Sequence, residues 1–408
     1  MNVEIRPDRL LADIEALAEV GDTGDGGNCR LALTDDDAGG RELVVGWMRA
    51  LGLDVRVDRI GNVVGTRAGA EPGLDAVMTG SHIDTVRTGG RYDGTLGVLA
   101  GIEVLRALDD AGIRTRRPLA VAFFTDEEGS RFAPDMLGSL VYAGGLALED
   151  ALGIVAIDGA VLGEELERIG WAGDAPVPGP APHAYVELHI EQGPLLEEQG
   201  VTIGAVTGVQ GISWQELTLT GQANHAGTTP MRLRRDAGYV AAEVATYVRR
   251  LARELGGDQV GTVGRLDLHP DLVNVVAARA TMTVDLRNTD DVLVAEAEWR
   301  LREHVATVAA AEGVDVAWRR LARFEPVAFD PVVVDLVERT AEKRGLRVMR
   351  LPSGAGHDAQ MLARMCPTGM VFVPSRAGVS HNPAEFTEPD DLAAGTQVLA
   401  DVLVELAS

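Results

Sequence analysis

Two six-residue runs constrain the fold of this chain more than any other feature. Residues 75–80 (DAVMTG) and 119–124 (LAVAFF) are largely apolar, do not alternate, and are stopped by polar residues. A strand with one wet face alternates, whereas a strand buried on both faces does not. Both runs therefore read as interior strands of a sheet covered on two sides. Between them, residues 96–109 carry Leu, Ala and Val at helical spacing. This strand–helix–strand alternation predicts an α/β fold. Helices expected at 9–20 and 41–51, and strands at 53–58, 62–66, 184–190 and 201–206, extend it.

The character changes near residue 208. Residues 212–220 alternate, as in a strand with one wet face. There follow a helix pattern over 234–255, strands over 261–268 and 277–286, a helix over 290–312 and a strand over 315–321. That β-α-β-β-α-β order is that of a ferredoxin-like module. The α/β alternation then resumes with a helix at 332–344, a strand at 346–351, a helix at 357–365, a strand at 369–373 and a helix at 390–406. The expected architecture is a discontinuous α/β domain, residues 1–208 and 326–408, with a mixed sheet and flanking helices. An α+β domain at 209–325 is inserted into it. Residues 173–182 (GDAPVPGPAP) read as a Pro-rich loop.

Charge narrows the partners. With 37 Lys and Arg against 62 Asp and Glu, the formal net charge is −25. A phosphate-backbone binder needs a basic footprint, so a nucleic-acid partner is excluded. An anionic membrane surface is disfavoured for the same reason, and no apolar run is long enough to span a bilayer. The two cysteines, Cys29 and Cys366, make neither a disulfide framework nor a CxxC zinc site. The first twenty residues are studded with charges and have no apolar leader core. A cytoplasmic location is expected.

The histidines are scarce and clustered. His82 and Asp84 lie two apart at a strand end (GSHIDTV), where extended chain places them on one side. A carboxylate there can hold the distal N–H of a metal-bound imidazole. Asp93 follows in a Gly-rich loop (GGRYDG) that opens a helix. Glu127 and Glu128 follow the second apolar run (FTDEEG); adjacent carboxylates repel unless a cation compensates them. Glu187, His189 and Glu191 alternate along one strand. Ser380-His381-Asn382-Pro383 follows the last strand. Each cluster ends or follows a strand of one predicted sheet, and ligands of open α/β folds gather at such ends. His82, Asp93, Glu128, His189 and His381 offer nitrogen and oxygen without sulfur. That set suits zinc, or manganese, cobalt or nickel, and could hold two ions with one carboxylate shared. His183, His269 and His304 fall in no motif, and His304 reads as a surface residue of a charged helix.

With these motifs, together with HIEQGPLLE, NHAGTTPM, LPSGAGHDAQ and SHNPAEF, the sequence resembles the M20 metallopeptidase superfamily over nearly its whole length. Within that superfamily it resembles the amidase/hydantoinase/carbamoylase branch, which holds N-carbamoyl-L-amino-acid hydrolases, allantoate amidohydrolases and β-ureidopropionases. The resemblance implies two divalent ions per chain, zinc foremost. His82 and His189 would hold one ion, Glu128 and His381 the other, and Asp93 would bridge them. It further implies Glu127 as general base, Asp84 as the group orienting His82, and His225 as oxyanion donor, reaching the partner subunit's site. Gln192, Asn274 and Arg287 would contact substrate, and the loop containing Gly356 and His357 would line the pocket. The expected activity is hydrolysis of the carbamoyl C–N bond of an N-carbamoyl-L-amino acid or related ureido acid by a homodimer paired through its inserted domain. Allantoate is the alternative substrate. A plain N-acyl amino acid amidase or dipeptidase is disfavoured by His189, where peptidase-like members place a carboxylate. A catalytically silent binding protein is disfavoured by the complete ligand set.

Overall fold

A computed structural model describes residues 3–408; Met1 and Asn2, which open the first expected domain, lie outside it. The described residues form two compact units. One comprises the chain up to Gly208 together with Ala328–Ser408, and the other is Val209–Val327.

The larger unit is built on a nine-stranded mixed sheet. The two runs that dominate the sequence are strands Val77–His82 and Leu119–Phe124, buried at every position. They pair in parallel, and Val77–His82 also pairs in parallel with Ala184–Ile190, which in turn pairs in parallel with Thr368–Val373. Antiparallel strands flank this block: Val63–Arg67 beside Leu119–Phe124, and Ile203–Val209 beside Thr368–Val373. Four adjacent strands therefore present their carboxyl ends to one side. The helix Thr95–Asp110 packs closely on the block. A Cβ at Gly97 would meet the Leu188 carbonyl oxygen at 2.6 Å, so only glycine permits that approach.

Three of the differences from the expectation bear on the packing, while the helix expected at 357–365 is only Asp358–Leu362. The second helix is Asp35–Ala50, not 41–51; Thr34 caps it by accepting the Asp37 N–H, and three aspartates occupy its first turn. Residues 125–183, read without elements, contain short helices Leu137–Tyr142, Leu148–Leu152 and Leu162–Arg168, which enclose a small separate core with Phe132 and Ile60. His304 is not a plain surface residue: its half-buried ring stacks on Tyr247 with centroids 3.8 Å apart.

The second unit has a four-stranded antiparallel sheet. Its spatial order is Asp315–Phe324, Gly211–Thr220, Arg279–Asn288, Val260–His269. Helices Ala237–Leu255 and Asp291–Glu312 cover one face. Strand alternation sorts the residues: Leu217, Leu219, Met282, Val284 and Leu286 are buried toward the helices, while Trp214, Glu216, Asp285 and Arg287 take the other face. Among the described residues, no helix is long and apolar enough to cross a membrane.

Candidate metal centre

The donors converge as the clusters suggested, at the carboxyl ends of the parallel strands. His82 is the last residue of its strand and His189 the penultimate residue of its own. His82, Asp93 and His189 bring one ligand atom each within 4.8 Å of one another; so do Asp93, Glu128 and His381. The two oxygens of Asp93 divide between these groups. Oδ1 lies 3.2 Å from His189 Nε2 and 3.7 Å from His82 Nε2, while Oδ2 lies 3.3 Å from His381 Nε2. Glu128 Oε2 is 3.4 Å from His381 Nε2, and Glu127 Oε2 is 3.3 Å from His82 Nε2.

The remaining ring nitrogens identify what would fill this space. His82 Nδ1 donates to the Asp84 carbonyl and His189 Nδ1 to the Ile190 carbonyl, each at 2.9 Å. In the neutral ring this leaves Nε2 of both as acceptors facing the site, and the Gly94 N–H points at His189 Nε2 at 3.2 Å. Two imidazole lone pairs and the carboxylates of Asp93 and Glu127 thus converge, and acceptors at these distances need a cation or a proton between them. The donor set fits a metal.

The charges argue the same way. Burial pushes the His82 imidazole down to about 4, favouring its neutral, ligating form. Burial also opposes charge on His189, but the hydrogen bond and charge of Asp93 override it and raise the ring to about 9. Asp93 stays well below the usual carboxylate range; its burial is outweighed by hydrogen bonds to His189 and His381. Burial, then the charges of Asp358, Glu128, Asp84 and Asp93, hold Glu127 well above that range. Burial, with Asp93 and Asp84, does the same to Glu128. A divalent cation would relieve this cost.

Asp84 acts differently from the expectation. Its carboxylate stays 3.8 Å from His82 Nδ1, and its backbone carbonyl makes the orienting bond. The carboxylate accepts the N–H groups of Glu127 and Glu128, each at 3.3 Å, and so fixes the loop that carries both. His357 is buried beside the site. It is 1% exposed, with Nε2 on Ser353 Oγ at 2.7 Å, and its ring meets that of His189 edge-on at 4.6 Å. Gly356 beside it is partly exposed. Gln192 donates to Asp93 Oδ2 at 2.9 Å. Glu187 and Glu191 serve the scaffold: Glu187 accepts from Ser81, Tyr185 and Ala359, and Glu191 accepts the N–H groups of Leu195 and Leu196. Asp126, Gln192 and His381 all have φ between 53° and 58°, so non-glycine left-handed residues recur at the site loops.

Three further expected residues lie in the second unit. His225 Nδ1 accepts from the N–H groups of Gly227 (3.0 Å) and Thr228 (3.2 Å), so the neutral ring carries its proton on Nε2, as a donor. Asn274 is beside it, because its carbonyl accepts the Ala226 N–H and Val275 bridges to His225. Arg287 is at the opposite end of strand Arg279–Asn288, with Nη2 on Asp285 Oδ2 at 2.9 Å and its guanidinium over the Trp214 ring.

Sequence reasoning missed Glu385, which accepts the Asp93 N–H, and Ser380, whose hydroxyl donates to Glu385 beside Asp93; Glu385 stands in the SHNPAEF motif, four residues past His381. A cavity of about 650 Å³ lies away from the candidate donors, between Asp54–Val57, Val63–Arg67 and the Pro-rich loop.

A mixed α/β sheet with His and carboxylate groups able to hold a metal at its strand ends, in a chain whose relatives are named amidohydrolases, is that of a metal-dependent hydrolase. The family model for peptidase family M20/M25/M40 matches residues 78–405, and the chain belongs to that family. It is 42% identical to an N-carbamoyl-L-amino-acid amidohydrolase of Rhizobium meliloti, over 100% of this chain and 98% of the relative. It is 35% identical to a ureidoglycolate hydrolase of Arabidopsis thaliana, over 98% of this chain and 86% of that one. Among solved structures, an amidase of the hydantoinase/carbamoylase family from Burkholderia multivorans superposes with a TM-score of 0.96 at 46% identity, covering 99% of this chain and 98% of the other.

Proposed function

We propose that this enzyme hydrolyses the carbamoyl C–N bond of an N-carbamoyl-L-amino acid, using two divalent ions. The observation that carries the two-ion reading is the division of Asp93, whose two oxygens face two separate donor groups. The substrate reading rests on the end-to-end likeness to an N-carbamoyl-L-amino-acid amidohydrolase. When bound, the ions, zinc foremost, would activate a water and polarise the carbonyl.

The side chains supply the rest. Glu127 takes the proton of the attacking water and delivers it to the leaving nitrogen. The C–N bond to the amino acid breaks, and the resulting carbamic acid falls apart to CO2 and ammonia. His225, with its proton on Nε2, donates to the developing oxyanion. Arg287 clamps the substrate carboxylate with its planar fork, Gln192 and Asn274 contact the ureido group, and Gly356 borders the pocket.

The second unit would act as a ferredoxin-like dimerisation domain that lends residues to a neighbouring subunit. One geometric fact favours this. Eight residues of extended strand separate Arg279, at the His225 and Asn274 end, from Arg287, which is about 27 Å at the usual rise. No substrate of amino-acid size spans that length, so His225 and Arg287 would serve different sites of a homodimer. A second substrate reading, a ureido acid such as ureidoglycolate or allantoate, is favoured by the likeness to ureidoglycolate hydrolase.

The decisive experiment is Glu127→Gln, assayed with a panel of N-carbamoyl amino acids, ureidoglycolate and allantoate for released ammonia and amine. It should keep its metal and lose about 10²–10⁴ in kcat. Near-wild-type turnover with metal bound would remove Glu127 from the mechanism, and preference for ureidoglycolate or allantoate would install the second reading.

A further inference from the structure

The loop carrying His381 and the loop carrying Asp93 are fastened together by side chains that are not metal donors. Glu385, only 5% exposed, is at the centre. Its Oε1 accepts the N–H of Tyr92 at 3.1 Å and of Asp93 at 3.2 Å. Its Oε2 accepts the Ser380 hydroxyl at 2.9 Å, and Ser380 Oγ lies 3.2 Å from Asp93 Oδ2. Thr88 adds a tie by donating to the His381 carbonyl at 3.2 Å. The fit is tight, since a Cβ at Gly90 would sit 2.2 Å from Glu385 Oε1. His381 itself has φ 53°, a backbone state that a non-glycine residue keeps only where its surroundings hold it.

The geometry points to Glu385 as a positioning residue. Acting through Ser380 and the N–H groups of Tyr92 and Asp93, it sets the Asp93–His381 spacing and with it the affinity of the ion held by Asp93, Glu128 and His381. The ion at His82 and His189 depends on it less, because those rings are oriented by the Asp84 and Ile190 carbonyls instead. This rests on the two-ion reading above. The carboxylate matters chemically: accepting at both oxygens, it draws the single Ser380 proton away from Asp93. An amide at 385 would keep the two N–H bonds through its oxygen. Its NH2 would donate to Ser380 Oγ and turn the serine proton toward Asp93 Oδ2, where it competes with the ion.

The test compares wild type, Glu385→Gln and Ser380→Ala as full chains. Each is stripped with chelator and titrated with Co2+ by calorimetry and visible absorption, with melting temperatures taken in the metal-free state. Wild type should take up two ions. Glu385→Gln should bind one as wild type does and the other about 10–100-fold more weakly, the range for losing a partner behind a ligand. Its metal-free melting temperature should barely move. Ser380→Ala should weaken the same ion to a smaller extent and guards against a misfolded Glu385 variant. Two wild-type affinities in Glu385→Gln would overturn this inference alone, as would equal weakening of both ions in step with a fall in melting temperature. A wild-type titration that ends at one ion would overturn the two-ion reading and this inference with it.

Discussion

Gly94→Ala tests the geometry of the centre without touching a donor. Gly94 has φ 64°, and a Cβ there would lie 2.3 Å from Cε1 and Nε2 of His82 and 2.4 Å from its Nδ1. Ordinary contact begins near 3.4 Å, so the ring or the loop must retreat by about 1 Å. Metal–ligand distances tolerate only about 0.2 Å, and a misplacement of about 1 Å at a reacting centre costs about 100-fold. Left-handed alanine adds about 1–2 kcal/mol of backbone strain. Gly73→Ala isolates that strain, because Gly73 has φ 83° and nothing within 4 Å of its Cβ position. Both variants should show the backbone cost in melting temperature. Only Gly94→Ala should lose metal, measured by elemental analysis, and drop about 100-fold in kcat. Wild-type metal content and turnover in Gly94→Ala would refute the placement of His82 against the helix start.

Two more outcomes follow from the charges and the layout. His189 is raised to about 9 in the metal-free protein, above its ordinary 6.5, so its protonated pairing with Asp93 stabilises fully below about pH 6.5 and is lost as pH rises through 9. The metal-free melting temperature should therefore decline over that window, less steeply in Asp93→Asn, and metal affinity should rise over it because the ion displaces that proton; a flat affinity profile would count against the ligand assignment. His225→Ala should lose about 10²–10³ in kcat as the price of one oxyanion donor. Mixed with Glu127→Gln under subunit exchange, it should regain roughly a quarter of wild-type activity, since half the dimers are hybrid and each hybrid has one intact site; no recovery despite hybrid formation would place His225 in its own subunit's site.

The candidate donors stood out in the sequence because two of them sit at strand ends and the others in loops that follow strands. His82 closes a fully buried strand, and His189 lies one residue from the end of another. An imidazole at such a place is visible in sequence, since polar residues interrupt an apolar run. The same logic left open what Glu191 does, which is to accept the N–H groups that open a short helix, and how His357 sits, which is with its ring buried against His189. Spacing along the chain reports which side a residue takes, not what awaits it there. The helices Leu137–Tyr142 and Leu148–Leu152 escaped notice because one or two turns are too few to show a period.

Local pattern by itself determined the buried strands and the interrupting β-α-β-β-α-β segment, because burial and backbone pairing impose short periods on neighbouring residues, and it marked five candidate donors at or after strand ends. Tertiary structure alone decided that Asp93 faces two donor groups, that Asp84 works through its carbonyl, and that Glu385 reaches the Tyr92 and Asp93 amides. Those contacts join loops as many as 293 positions apart, and their geometry is set by how the sheet brings strand ends together. No short-range period encodes it.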